Sequence, residues 1–213
     1  MAVKRVLSVN KMIFALILTL LVFITIFLVS YAVSYSQYQK TSREQTIVIS
    51  KILNFNIKSS LLGQSCTNLV SNDLSLELDH MGNILNLLEE RLGKNNLDVL
   101  EQKKLYTSIE AEHFVYVRNY NHECDKNIST VLFFYSNLEP FSRNADSIGY
   151  VLSSIKSDRN QEVMIYSFDY DLDSEATWLL KGVYNVNQPN SLVINEDNVL
   201  VDVAIKEEIE EYL

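Results

Sequence analysis

The two cysteines, Cys66 and Cys124, are the residues of this 213-residue sequence with the clearest capacity for chemistry. Two cysteines can form one disulfide bridge, but they supply neither a four-thiolate zinc site nor a disulfide-dense scaffold. Three interpretations are open: a structural bridge, a switchable redox pair, or two separate buried thiols that behave as small hydrophobic groups. No cysteine follows Cys124 in the sequence.

Residue types that can bind a metal ion are present, but their spacing in the sequence does not suit a metal site. His122-Glu123-Cys124 places two kinds of zinc ligand together, yet the other two histidines lie far away in the sequence. The acidic stretch from Asp169 to Asp173 begins like a calcium loop, but Ser174 stands where that loop needs glycine and Leu180 where it needs glutamate. The sequence therefore predicts no metal site and no cofactor.

No other arrangement typical of catalysis is found in the sequence, whether Ser/His/Asp residues, a phosphate-binding loop or paired carboxylates. His113 lies on the apolar side of its predicted helix, which is typical of a core histidine with satisfied hydrogen bonds. The absence of a catalytic pattern favours a role other than that of an enzyme.

The charge of −9 is unevenly distributed along the chain. Residues 1–60 carry seven basic residues and one acidic residue, whereas residues 61–213 carry eleven basic and twenty-six acidic residues. Nucleic-acid binding needs a concentrated basic surface, so a nucleic acid is not expected as a partner. The acidic surplus instead predicts a neutral or basic protein or peptide partner.

Residues 1–35 are predicted to form a transmembrane anchor. The run from Met12 to Val29 is apolar except for two threonines, and it is long enough to cross a hydrocarbon core of about 30 Å. A cleaved signal peptide is the alternative, with Ser30-Tyr31-Ala32 as its cleavage site. Because Lys4, Arg5 and Lys11 precede the run, we expect a single-pass cell-membrane protein whose N-terminus is cytoplasmic and whose C-terminal domain is extracytoplasmic.

Residues 36–125 are predicted to form a helical stalk followed by an antiparallel helical hairpin. The stalk is expected to end at Gly63, and an apolar seam from Leu74 to Leu92 then predicts a helix that ends at Gly93. A second helix is expected from Asn96 to about Tyr120. Cys66 and Cys124 are almost equally far from Gly93, which places both at the open end of the hairpin. In an oxidising compartment this favours a bridge between them.

Residues 126–213 alternate between strand and helix patterns in the order βαβαββα. The strands are expected at residues 129–135, 162–168, 191–195 and 199–203, and the helices at 142–156, 173–181 and 204–212. Asp173 is the expected N-cap of the middle helix, and Gly182 its expected end. A crossover helix gives parallel strand pairing and a tight turn gives antiparallel pairing, so a mixed four-stranded sheet with helices on both faces is predicted.

This order resembles the thioredoxin fold, through the segments VLFFYSN (131–137), GYVLSSIK (149–156), VMIYSFDYDLD (163–173) and QPNSLVIN (188–195). The chain is similar to uncharacterised membrane-anchored thioredoxin-like proteins of archaea that lack a C-x-x-C pair. The resemblance covers residues 129–213 and, less specifically, residues 64–128. It implies a redox site made of a C-x-x-C pair at the start of the first helix and a cis-proline before the third strand.

The sequence departs from that implied site. Ser142 and Ala145 occupy the two cysteine positions, so dithiol exchange there is excluded. Pro189 stands one residue early, with Asn190 in the position of the cis-proline. The resemblance still implies a peptide-binding groove around these four residues and Phe141, with free backbone donors and acceptors in the 188–190 segment.

We therefore expect a membrane-anchored, redox-inactive thioredoxin-like module that binds a protein or peptide outside the cytoplasm. Two alternative functions stay open. One is a thiol-disulfide redox protein that uses Cys66 and Cys124, and the other is a structural envelope subunit that acts through its helical hairpin.

Overall fold

The computed structural model describes residues 9–62, 66, 68–159 and 162–213, and it divides into a unit that ends at Ile49 and a unit from Ser50 to Leu213. Helix α1 (Val9–Leu62) contains the segment Val9–Ser36, with a mean hydropathy of 3.1, which is the one described helix long and apolar enough to cross a membrane. The hydroxyls of Thr19 and Thr25 donate to carbonyls one turn earlier, so both polar groups are satisfied within the helix. Gly63 lies outside the described residues.

The helical hairpin is confirmed as α2 (Asn68–Leu92) and α3 (Leu97–Cys124). Gly93 has a φ of 90°, a conformation that glycine adopts without steric cost, so α2 ends where the sequence predicted. Asn96 caps α3, because its Oδ1 accepts a hydrogen bond from the Asp98 amide at 2.9 Å.

A disulfide joins Cys66 and Cys124 at the open end of the hairpin, with the two Cα atoms 5.5 Å apart. The predicted pairing is therefore confirmed. The bridge spans a sequence separation of 58 residues. Closing a loop of that length disfavours the unfolded chain by about 4 kcal/mol in the chain-entropy description.

The predicted βαβαββα order is also confirmed. Its elements are β1 (Ser129–Tyr135), α4 (Ser142–Arg159), β2 (Val163–Asp169), α5 (Glu175–Val183), β3 (Ser191–Ile194), β4 (Asn198–Val201) and α6 (Lys206–Glu210). The strands lie in the order β2-β1-β3-β4. Strand β1 is parallel to β2 and antiparallel to β3, and β3 is antiparallel to β4. The result is a mixed four-stranded sheet with β2 and β4 at its edges.

Helices cover both faces of the sheet. Helices α4 and α6 bury Val131, Phe133 and Ile194 on one face. The hairpin and α5 bury the other face, where Leu132, Phe134 and Phe168 share one apolar core with α2 and α3. The domain boundary predicted after residue 125 thus falls inside the unit from Ser50 to Leu213, because the hairpin and the sheet are packed together.

Several element bounds differ from those predicted. Ser174, rather than Asp173, is the N-cap of α5, and the helix continues through Gly182 to Val183. Strand β4 begins at Asn198 and ends at Val201, and α6 is shorter than predicted because Ile205 is still extended. These differences lie at turns, where the same polar residue types serve as caps, turn residues or strand ends.

Our first prediction concerns the independence of the sheet. We expect a fragment of residues 126–213 not to fold, since it would expose Leu132, Phe134, Tyr166, Phe168 and Val193, all of which the hairpin and α5 cover. Burial of five such side chains is worth about 10 kcal/mol, which is comparable with the whole stability of a domain. Circular dichroism and urea unfolding should show a cooperative transition for residues 50–213 and none for residues 126–213. A cooperative transition in the shorter fragment would contradict this.

Candidate functional site

The structure brings together the two segments predicted to form a groove. Ser142 begins α4, and Ala145 is buried one turn later. Asn190 is fully buried just before β3, and its Nδ2 donates to the carbonyl oxygen of Phe141 at 3.0 Å. Pro189 is half-buried and Phe141 is exposed. The five predicted residues thus come from two segments in direct contact.

Two carbonyl groups of the 188–190 segment, which was predicted to offer free donors and acceptors, are engaged within the chain. The carbonyl of Asn190 accepts from the Asp202 amide at 2.9 Å, and the carbonyl of Gln188 accepts from the Ser191 hydroxyl at 2.8 Å. Asn190 Nδ2 also donates to Asp202 Oδ1 at 3.1 Å. The peptide bond between Glu139 and Pro140 is cis, and no other cis bond occurs in the part of the chain that the structure describes.

A larger site lies beside the edge strand β2. A cavity of about 450 Å³, which we call the edge cavity, is enclosed by α2, α3 and β2. A second cavity of about 820 Å³ shares several of its residues and extends to α4. The polar and aromatic residues that line the edge cavity are Ser75, Asp79, Asn86, Glu89, Lys103, Tyr106, Thr107, Glu110, His113, Tyr135, Lys156, Tyr166 and Ser167.

At one end of the edge cavity a buried ammonium group is held by two carboxylates. Lys103 is 5% exposed, and its Nζ lies 3.0 Å from Glu89 Oε1 and 3.1 Å from Asp169 Oδ2. Burial acts to lower the pKa of Lys103, but Tyr135 and the Asp169 and Glu89 carboxylates outweigh it and hold the pKa above its ordinary value. Asn137 Nδ2 also donates to Asp169 Oδ2. Lys103 is therefore a charged link between α3, α2 and β2.

Glu110 lies on the same helix and is 3% exposed. Its Oε1 accepts a hydrogen bond from the Ser167 amide at 3.0 Å, while its Oε2 has no hydrogen-bond partner among the residues that the structure describes. Burial raises the pKa of Glu110 to about 8, although the Ser167 amide and the charge of Lys156 favour the ionised carboxylate. At neutral pH this carboxyl group is mostly protonated.

His113 is a core histidine, as the sequence predicted. It is fully buried, with Nδ1 2.7 Å from the Tyr166 hydroxyl and Nε2 3.2 Å from the Ser75 hydroxyl. Burial lowers the pKa of His113 to about 4, so the ring is neutral at physiological pH. A neutral ring has one donor and one acceptor nitrogen, and two hydroxyl neighbours suit both.

The entrance of the edge cavity is formed by exposed residues. Asp79 on α2 and Lys156 on α4 form an ion pair, with Lys156 Nζ 2.7 Å from Asp79 Oδ1. Asn86 and Ser167 are also exposed, so the cavity opens to solvent beside the edge of the sheet. Among the residues that the structure describes, no group of three His, Cys, Asp or Glu side chains could hold a metal ion.

Sequence reasoning missed the edge cavity, although α3 carries a signal for it. Lys103, Tyr106, Glu110, His113 and Val117 are separated by three, four, three and four residues, which places them on one face of the helix. The apolar members of this series alone indicate that one face of α3 packs in an ordinary hydrophobic core. Reading every member shows that Lys103, Glu110 and His113 are buried polar side chains on the same face as the apolar Val117.

Our second prediction is that Glu110 makes stability depend on pH. The pKa of Glu110 is raised from 4.5 to about 8 on folding, so the unfolded chain loses this proton first and stability falls as pH rises toward 8. The lowered pKa of His113 acts in the opposite direction, but only below its ordinary value of 6.5. Between pH 6.5 and 8 we expect the Glu110 contribution to fall by up to about 1.4 kcal/mol per pH unit.

Urea unfolding of the full chain in nanodiscs at several pH values measures this slope. Glu110→Gln should remove it, because the amide keeps an oxygen for the Ser167 amide and does not titrate. Glu101→Gln is the matched control, since this exposed carboxylate is also on α3, and it should leave the slope unchanged. An equal slope in the wild-type chain and in Glu110→Gln would contradict the assignment.

The chain was compared with known proteins at three levels. No protein-family model, no curated protein and no solved structure matches it. The resemblance to thioredoxin-like proteins stays a prediction.

Proposed function

We propose that the chain is a membrane-anchored, thioredoxin-like binding module that takes a neutral or basic protein or peptide and performs no thiol exchange. The observation that carries this proposal is a solvent-accessible cavity at the edge of a mixed sheet, in a unit that offers no free thiol among its described residues.

The strand arrangement supports the thioredoxin-like assignment. A parallel β1–β2 pair is joined by the crossover helix α4, and β3 and β4 follow as an antiparallel hairpin in the order β2-β1-β3-β4. This is the βαβ and ββα combination that the sequence resemblance implied. Ser142 and Ala145 lie in the first turn of α4, where the resemblance places the cysteines.

The placement of the cysteines supports a role without thiol exchange. Cys66 and Cys124 are bonded to each other at the open end of the hairpin, whereas the expected exchange position is at the start of α4. Exchange at α4 would need a thiolate stabilised at the helix N-terminus and a second thiol to resolve the mixed disulfide. A serine hydroxyl and an alanine methyl group provide neither.

The membrane segment and the charge distribution support a location for the proposed binding function and a charge for its partner. Val9–Ser36 is the proposed anchor, and the basic residues before it favour a cytoplasmic N-terminus and an extracytoplasmic Ser50–Leu213 unit. The strongly acidic composition of residues 61–213 favours a partner that is neutral or basic. Its association should then slow as the salt concentration rises.

Binding is proposed at the edge cavity and its extension along α4. Strand β2 has a sheet neighbour on one side only, and its backbone alternates between the two sides. The Ser167 amide points outward to Glu110, so the backbone groups of Ile165 also face the outer edge. The Ser167 amide is already bonded to Glu110, so an extended peptide pairs with this edge at Ile165, while its side chains enter the adjoining cavities.

Our third prediction is that the full chain in nanodiscs does not accelerate the reduction of insulin by dithiothreitol. The two cysteines lie at the open end of the hairpin and not at the start of α4, where a helix N-terminus would stabilise a thiolate, and the 126–213 segment has none. Turbidity of precipitating insulin chains measures the rate, and a variant with both Cys66→Ser and Cys124→Ser serves as the control. Acceleration by the wild-type chain that disappears in the double variant would establish the alternative redox function instead.

Our fourth prediction locates the binding surface by a matched pair of substitutions on α4. Ser153 and Ser157 are both exposed, but only Ser153 lines the cavity that extends along α4. Ser153→Trp should fill this space and lower the recovery of a partner captured from native membranes several-fold. Ser157→Trp should leave recovery unchanged.

A third substitution, Phe141→Ala, tests the groove that was predicted at the start of α4. A loss of capture with Phe141→Ala alone would move the binding surface to the start of α4. If none of the three substitutions lowers capture but Leu87→Asp, at an exposed hairpin position outside both cavities, abolishes it, the hairpin is the binding element and the structural-subunit alternative holds.

A further inference from the structure

The charges that line the edge cavity are paired, with the exception of Glu110. Lys103 is held by Glu89 and Asp169, and Lys156 is held by Asp79. In the described part of the chain no salt bridge joins Glu110 to a cation, and its one engaged oxygen accepts from a backbone amide. Its other oxygen is buried in the wall of the cavity without a partner among the described residues. Lys156 favours the ionised form of Glu110 through its charge but is paired with Asp79, so this acid has no ion-pair partner of its own among the described residues.

The surroundings of Glu110 suit an organic cation with an aliphatic stem. Tyr106, Tyr135 and Tyr166 line the cavity, and the electron-rich faces of aromatic rings attract cations. Leu78, Leu85, Met164 and Ile165 supply apolar walls. The Tyr106 side chain has room here because residue 82 is a glycine. A Cβ atom on residue 82 would lie 2.9 Å from the Tyr106 hydroxyl oxygen.

We propose that the edge cavity binds a primary alkylammonium group, with the free oxygen of Glu110 as its counter-ion. This inference rests on the proposed binding function and names the chemical group that the partner or ligand presents.

The geometry favours an ammonium group over the other charged groups of biological ligands. A guanidinium ion binds best to both oxygens of a carboxylate, but Glu110 has one oxygen committed to the Ser167 amide. An ammonium ion is a compact charge and needs only one carboxylate oxygen. An anionic ligand would meet Glu110, Asp79 and Glu89, and the two lysines that line the cavity already have carboxylate partners.

Binding of a cation changes the protonation of Glu110. Because burial raises the pKa of this carboxyl group to about 8, ammonium binding at neutral pH requires it to release its proton to solvent. Affinity should accordingly increase as pH rises from 6.5 toward 8. The titratable and charged groups that line the cavity around it are Asp79 and Glu89 on α2, Lys103, Tyr106 and His113 on α3, Tyr135 on β1, Lys156 on α4 and Tyr166 on β2.

The ammonium group could belong to a free amine or to a lysine side chain of a protein partner. Isothermal titration calorimetry of the full chain in nanodiscs distinguishes these sources with two probes, n-butylammonium and N-acetyl-lysine N-methylamide. Binding of both indicates that the cavity accepts a lysine side chain. Binding of n-butylammonium alone indicates a site for free amines, since the peptide backbone around the lysine is then excluded.

The variants separate the charge of Glu110 from its packing. Glu110→Gln should weaken the binding of either probe by at least about tenfold, the effect of losing one hydrogen bond to a charged group. Glu101→Gln removes an exposed carboxylate from the same helix and should leave the affinity unchanged. Titrations in two buffers of different ionisation enthalpy should show release of about one proton in the wild-type chain and none in Glu110→Gln.

One comparison does not depend on a variant. n-Butylguanidinium should bind the wild-type chain more weakly than n-butylammonium does. The proposal is overturned if neither amine gives saturable binding, if the guanidinium binds as tightly as the ammonium, or if Glu110→Gln and Glu101→Gln weaken binding equally. Loss of partner capture with Ser153→Trp, together with no binding of either amine, would keep the binding module and overturn only the ammonium site.

Discussion

The face of the sheet that carries Leu132, Phe134 and Phe168 has to be buried, and the helical hairpin buries it together with α5. This constraint packs α3 against the sheet, so polar side chains on α3 are buried together with apolar ones. A buried ammonium group is stable only with partners, and Lys103 has two carboxylates from different elements. Removal of one partner from such a buried set typically costs about 3–5 kcal/mol. The ion pairs of Lys103 therefore fix the position of α3 on the sheet as well as the charge inside the edge cavity.

Much of the architecture follows from sequence patterns with a direct physical meaning. Continuous apolar runs predicted the buried strands, because a strand covered on both faces has no polar side. Gly93 predicted the turn of the hairpin, and the spacing of Cys66 and Cys124 from it predicted the bridge. The shared core was not predicted, since the Leu and Met stripe of α2 shows that a face is buried but not what covers it. Lys103 and Glu110 were missed for a related reason: a polar residue on a helix is assigned to solvent unless its partners, which are distant in sequence, are known.

The groove at the start of α4 shows a different limit of prediction from the sequence. The resemblance to the thioredoxin fold implied that Phe141 and Asn190 belong to neighbouring segments, and the hydrogen bond between them shows that these segments are in contact. The sequence did not indicate that the Asn190 amide would join the Phe141 carbonyl to Asp202 and so occupy the space between them. The choice among hydrogen-bond partners depends on backbone positions to within a few tenths of an ångström, which a pattern of residue types does not contain.

The edge strand β2 connects the stability of the fold with its proposed site. A bare sheet edge invites association with other strands, and proteins cover or block it. Here α2 and α4 stand on either side of β2, the Lys156–Asp79 ion pair links the two helices, and Glu110 accepts from the outward-facing amide of Ser167. A carboxyl group has two oxygens and a backbone amide has one hydrogen, so this way of blocking the edge leaves one buried oxygen unused. The half-satisfied Glu110 is thus a consequence of how the edge is protected, and it gives the edge cavity a capacity for charge recognition that an apolar cover would not provide.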